Sequence, residues 1–214
     1  MTDLLINWIL FAGIFGLALI SPGPDFVVAV RNSIMHSRLI GIMTAIGFAL
    51  GVIVHCTYVL AGIATVISQS IILFNIIKFV GAAYLIHIGI QSLRSKGHQD
   101  LRIRAGEQKP SNTMSVRQAL MSGFLTNLLN PKATIFFLAV FSQFITNETT
   151  LAVQISYGAT CFFMTAIWFS LVSIFLTIPS IRQSFLSFAH WIDRICGCLL
   201  IALGLKLALT KAST

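Results

Sequence analysis

The chain has 214 residues, 57% of them apolar and 9% charged, and fourteen Lys and Arg against six Asp and Glu give a formal net charge of +8. Soluble domains carry about 25% charged residues, and a chain this small has too little interior to hide such an excess of apolar surface from water. A soluble globular domain, a disordered chain and a fibrous repeat are thereby excluded, leaving an integral membrane protein whose basic residues collect in cytoplasmic loops and do not form a nucleic-acid surface.

Hydropathy divides the chain into six apolar segments, approximately 4–30, 39–67, 70–93, 118–146, 150–178 and 190–210. Each reaches the roughly 20 residues that a helix needs to cross a bilayer. Helices are expected because every backbone polar group must be satisfied within lipid, and no segment has the ten-residue alternation of a membrane β-barrel. The first segment opens on Met1-Thr-Asp-Leu, without a basic residue, and ends without a small-x-small cleavage site. It therefore reads as a span and not as a cleaved leader. Ser21-Pro22-Gly23-Pro24-Asp25 interrupts it. The second segment carries Gly47 and Gly51 in GxxxG spacing and then His55; the third carries Gly81 and His87.

Residues 94–117 form the one sizeable polar stretch, a basic connector with Gly97, Gly106 and Pro110. The fourth segment contains Asn127-Leu-Leu-Asn130-Pro131-Lys132, and the sixth contains Gly197 and Gly204. Ten of the fourteen basic residues lie in alternate connections: Arg31 and Arg38, then Arg94 through Arg117, then Arg182 and Arg194. The positive-inside rule puts these three loops in the cytoplasm and both termini outside.

The connector leaves three spans on each side, so residues 1–93 and 118–214 read as two three-helix repeats joined by a cytoplasmic linker, 94–117. An odd number of spans per half makes the second half enter the membrane inverted, as in many secondary transporters. Aligning Pro22 with Pro131 sets an offset of 109 residues and puts the breaks in helices 1 and 4. Counted from the cytoplasmic ends, the prolines lie roughly 14 and 18 Å deep at helical rise, near the middle of the hydrocarbon core. Proline removes a helical hydrogen bond, and interrupted helices in matching positions of two halves are the best sequence pointer to a transporter's substrate site.

Asp25 and Lys132 each directly follow a break; Asp25 is the only acid expected deep in the bundle, and Lys132 one of very few bases. An intramembrane charge costs at least about 3 kcal/mol, so the two read either as a structural ion pair or as binders of the ammonium and carboxylate of a zwitterion, with Asp25 also able to carry a proton. Gly47, Gly51 and Gly81 read as close-packing or gating positions. His55 and His87 are candidates for a proton relay, though a histidine satisfied within the bundle is the plainer reading. Lys78 and Lys206 lie nearer segment ends, where long side chains snorkel.

Cys56, Cys161, Cys196 and Cys198 all sit in apolar stretches and read as buried free thiols. A membrane thiol oxidoreductase is an alternative, weakened by the absence of Cys-x-x-Cys. A cation exporter is another, weakened because no span carries His, Asp and Glu at metal-ligand spacing. No metal or other cofactor is expected, and P-loop, GxGxxG, HExxH and GxSxG signatures of enzymes are absent.

The run Ser21-Pro-Gly-Pro-Asp-Phe with Gly41 through His55, and Lys78-x-x-Gly-Ala-Ala-Tyr-Leu-x-x-x-Gly89, resembles the lysine-exporter superfamily. Leu125-Thr-Asn-Leu-Leu-Asn-Pro-Lys-Ala133 and Trp191-Ile-Asp-Arg-x-x-Gly197 resemble its homoserine/threonine efflux branch. The resemblance covers nearly the whole chain. It implies a multi-pass exporter of small neutral amino acids in the bacterial inner membrane, driven by the proton motive force and able to form homo-oligomers. Ser21, Pro22, Gly23, Pro24 and Asp25, with Asn127, Asn130, Pro131 and Lys132, would then line the path of substrate and protons.

Overall fold

A computed structural model describes residues 2–21, 23–69, 71–94, 114–146 and 149–209. Pro22 and nearly all of the 94–117 linker lie outside the described residues, as does the side chain of Lys78. The described residues form eight α-helices and no strand: α1 (Thr2–Ile20), α2 (Pro24–Met35), α3 (Arg38–Gln69), α4 (Ile71–Arg94), α5 (Val116–Leu128), α6 (Pro131–Phe144), α7 (Leu151–Phe175) and α8 (Pro179–Leu209).

Two of these are each long and apolar enough to cross a membrane, α3 over Arg38–Gly62 and α7 over Leu151–Phe175. Three further candidate spans are bent. α1 and α2 meet at 59°, α5 and α6 at 58°, and the two parts of α8, Pro179–Phe185 and His190–Lys206, at 46°. The first two bends fall at the breaks expected from the sequence. The third adds a correction: the sixth segment, expected to begin near 190, extends back to Pro179, so Arg182 and Arg194 are helical and not in a loop. Arg194 lies 5.4 Å over the Trp191 ring, a cation–π contact that a helix face can hold.

Local chemistry accounts for the starts and stops. Ser115 opens α5 with a capping box, its Oγ accepting from Gln118 N at 3.2 Å while Ser115 N donates to Gln118 Oε1 at 2.9 Å, so two otherwise orphaned helix-end donors are met. α5 ends at Leu128 with Leu129 as its C-cap, and α6 restarts with Asn130 as N-cap and Pro131 at its first helical position. α2 restarts the same way, with Gly23 extended (φ −150°, ψ −167°) as N-cap and Pro24 leading. Proline suits that position because its missing N–H would have had no helical partner there.

The restarting prolines are therefore Pro24 and Pro131, which sets the structural offset at 107 residues, two fewer than the 109 obtained from Pro22. The Pro-Gly-Pro run holds two prolines, and it is the second, following the extended Gly23, that leads α2. With this offset Asp25 and Lys132 occupy the same place, the residue after the leading proline of a restarted helix.

α3 is the central helix, packed most extensively on α5 and α7, while α4 packs chiefly on α8. Some 61% of the α3 span is buried inside the protein against 28% of the α7 span, which leaves α7 the more lipid-facing of the two. Close approach depends on small residues, since helices in lipid gain little from hydrophobic burial. A Cβ on Gly197 would lie 2.7 Å from Gly89 O, and one on Gly204 would lie 2.8 Å from Ala82 O, so α4 and α8 cross backbone to backbone. Gly81 instead faces Ala139 of α6, and Gly47 faces the α5 backbone at Phe124 and Gly123.

Candidate functional site

The two restarted helices begin around one cavity of about 80 Å³, walled by Ser21, Asp25, Asn127, Asn130 and Lys132 on its polar side and by Phe15, Phe26, Phe136, Phe137 and Phe169 on its apolar side. All the polar wall residues come from the two breaks or the residues next to them, because only there does the backbone leave the helix and turn side chains inward.

Asp25 is held from the opposite break. Asn127 Nδ2 donates to its Oδ2 at 2.7 Å, and Asn130 Nδ2 approaches its Oδ1 at 3.4 Å. The carboxylate also lies in the first turn of α2, where the positive end of the helix dipole favours it. Lys132 is placed the other way. Its ammonium sits in the first turn of α6, where the dipole opposes a cation, and its Nζ reaches Ser21 Oγ at 3.4 Å. It therefore depends on nearby carboxylates. Two lie near enough to act on it, Asp25 and Asp193 of α8.

Asp193 is a second acid in the bundle, 3% exposed, where the sequence points to Asp25 alone. Its neighbours Trp191 and Arg194 give the stretch the look of a cytoplasmic loop. Helical spacing does carry a signal: Asp193, Cys196, Gly197, Leu200 and Gly204 recur at three- and four-residue steps along one face of α8, and every one of them is buried.

His55 is fully buried and uses both ring nitrogens. Nε2 lies 2.9 Å from Asn127 O and Nδ1 lies 2.6 Å from Tyr58 Oη. A carbonyl only accepts, so Nε2 carries the proton and the Tyr58 hydroxyl donates to Nδ1. A neutral imidazole thus satisfies every partner, and its effect is to fix the Asn127 backbone, which in turn carries the amide that holds Asp25. Gly51 completes this arrangement, since a Cβ there would lie 2.7 Å from Asn127 Oδ1.

The other histidine is not brought to the cavity: His87 is exposed and bonds Gln91 within α4 at 3.0 Å. The thiols of Cys56 and Cys161 lie against each other between α3 and α7, and both are free. Among the described residues no three His, Cys, Asp or Glu side chains gather to hold a metal ion.

The LysE-type translocator family matches residues 16–211. The chain is 31% identical over 194 residues to proteins named threonine efflux protein from Salmonella typhimurium and Escherichia coli (strain K12), a match spanning 91% of this chain and 93% of theirs. It is 34% identical over 142 residues to a Salmonella typhimurium protein named homoserine/homoserine lactone efflux protein, covering 66% of each chain. No solved structure matches it significantly. The chain belongs to the LysE family of efflux transporters, and with its apolar helices it is a multi-pass protein of the bacterial inner membrane.

Proposed function

We propose that this LysE-family chain exports threonine, homoserine or a closely related small neutral amino acid, exchanging it for protons at the cavity between the two helix breaks. The observation that carries the reading is the placement of Asp25 and Lys132 at matching positions of two restarted helices, facing one cavity. A zwitterion presents the complementary pair. Its ammonium would take the Asp25 carboxylate, and its carboxylate would take the Lys132 ammonium at the start of α6, an end whose dipole favours anions. The aromatic side of the cavity would meet the small side chain and exclude water, which strengthens both ionic contacts.

Ser21, Gly23, Asn127 and Asn130 contribute by holding the charged groups in place. Gly23 borders the ammonium, since a Cβ there would meet Lys132 Nζ in ordinary contact at 3.7 Å. Asp193, buried on α8, serves as a counter-ion of Lys132 that is independent of Asp25. In this scheme Asp25 binds either a proton or the substrate ammonium, and that exclusivity couples inward proton flow to outward substrate flow. The architecture that fits is six spans in two inverted repeats, helices 1 and 4 broken, with the halves rocking about the cavity. The basic stretches at Arg31–Arg38 and 94–117 face the cytoplasm, as does the Arg182 end of α8.

Inside-out vesicles test the proposal. With a pH gradient they should accumulate labelled threonine or homoserine, and Asp25→Asn or Lys132→Ala should abolish the gradient-dependent part at unchanged protein level. Uptake that is unaltered in both variants would remove these residues from the mechanism, and uptake indifferent to the gradient would remove the proton.

A further inference from the structure

We propose that a second cavity, at the end of the bundle that carries both chain termini, is an outer substrate site that receives a carboxylate; the inference rests on the export reading above. This cavity has a volume of about 380 Å³ and lies among the start of α1, the end of α6, the start of α7 and the end of α8. On the proposed topology that end faces away from the cytoplasm. Its wall holds Asn7, Gln143, Thr146, Thr149 and Thr150, and Lys206 supplies a cation. Polar side chains on membrane helices ordinarily face a water-filled cavity or a pathway.

Gln143 makes the site more than a wet surface. Its Nε2 is buried and has no hydrogen-bond partner among the described residues, and leaving a buried donor unmet is costly. An oxygen from a ligand would meet it. A buried amide donor and an ammonium line the same cavity. The chemistry is that of a receptor for an anion, and on a carrier of amino acids the anion is the substrate carboxylate.

The inner and outer cavities are separated in this state. Gln143 stands eleven residues beyond Lys132 on α6, and Lys206 thirteen beyond Asp193 on α8, roughly 16 and 20 Å at helical rise. Aromatic rings fill the interval. Phe137 lines the inner cavity and stacks 5.9 Å from Phe141; Phe11 lies 5.4 Å from Phe141 and 4.4 Å from Tyr157, which lines the outer cavity. Ring pairs of this kind attract one another only modestly beyond burial, and they can part without breaking a hydrogen bond. Substrate released from the inner cavity would pass them and be caught by Lys206 and Gln143 before leaving.

Counterflow from each face tests the outer site. Right-side-out vesicles loaded with unlabelled threonine and given labelled threonine report external affinity, and inside-out vesicles report cytoplasmic affinity. Lys206→Gln and Gln143→Leu should each raise the external half-saturation concentration at least fivefold and change the cytoplasmic value less than twofold, whereas Lys206→Arg should stay close to wild type. Threonine methyl ester, which lacks the carboxylate, should compete from outside equally well against wild type and Lys206→Gln. An unchanged external value in both variants, an equal rise on both faces, or an equal loss for the ester would overturn the outer site while leaving the inner one intact. Absence of counterflow by the wild type on both faces would overturn the export reading itself, and this inference with it.

Discussion

Replacing Gly51 by alanine tests how α3 controls the charged cavity. The added Cβ would stand 2.7 Å from Asn127 Oδ1, 3.0 Å from its Cβ and 3.2 Å from its Cγ. Reaching ordinary contact at 3.4 Å requires the Asn127 side chain to give way by about 0.7 Å. Its backbone cannot follow freely, because the carbonyl is bonded to His55 at 2.9 Å. A shift of that size would stretch the 2.7 Å bond from Nδ2 to Asp25 to about 3.4 Å, beyond the useful range for N–H···O. Hydrogen bonds to charged groups contribute about 1.5–3 kcal/mol, and 1.4 kcal/mol is a factor of ten. Gly51→Ala should therefore lower transport efficiency roughly ten- to hundredfold, read as initial threonine uptake into inside-out vesicles per transporter. Gly62→Ala is the matched control, since a Cβ there meets nothing within 4 Å, and it should stay within twofold of wild type. Equal activity in the two variants would mean that the Asn127–Asp25 bond does not depend on the space left by Gly51.

Asp193→Asn should depress uptake at least tenfold and make it depend on pH differently from Asp25→Asn, because it removes the counter-ion of Lys132 and leaves the proton carrier in place; pH–rate profiles of the two variants check this. Gly123→Ala drives a Cβ into the Thr44 carbonyl, with the carbonyl carbon at 2.9 Å and Gly47 Cα at 3.2 Å. Overpacking against backbone costs about 1–3 kcal/mol, so the detergent-solubilised protein should melt several degrees below wild type. Replacing all four cysteines by serine or alanine should leave export within threefold of wild type, measured in the same vesicles; loss of all transport would revive thiol chemistry at the Cys56–Cys161 contact.

The breaks are legible in the sequence because proline and glycine act on the backbone locally, whatever surrounds them. So are Asp25 and Lys132, since a charge beside a break stands out sharply in an apolar run. Which proline restarts a helix is not legible, because Pro22 and Pro24 are chemically identical and only the extended Gly23 between them decides. Asp193 escapes for a related reason. Its exposed neighbours Trp191 and Arg194 dominate the local composition, and its burial depends on α8 packing against α4 through Gly197 and Gly204, a tertiary fact. The third bend, near residue 185, has no proline to announce it.

The matched restarts at Pro24-Asp25 and Pro131-Lys132 have a consequence for how such a protein can be assembled. A gene encoding one half alone would have to build its cavity from two identical chains. Two copies of the first half would bring carboxylate to face carboxylate, and two copies of the second would bring ammonium to face ammonium, where like charges repel by several kcal/mol at close range. Opposite signs at equivalent positions make the halves obligate complements. A single chain that carries both positions holds the carboxylate and the ammonium in a fixed one-to-one ratio.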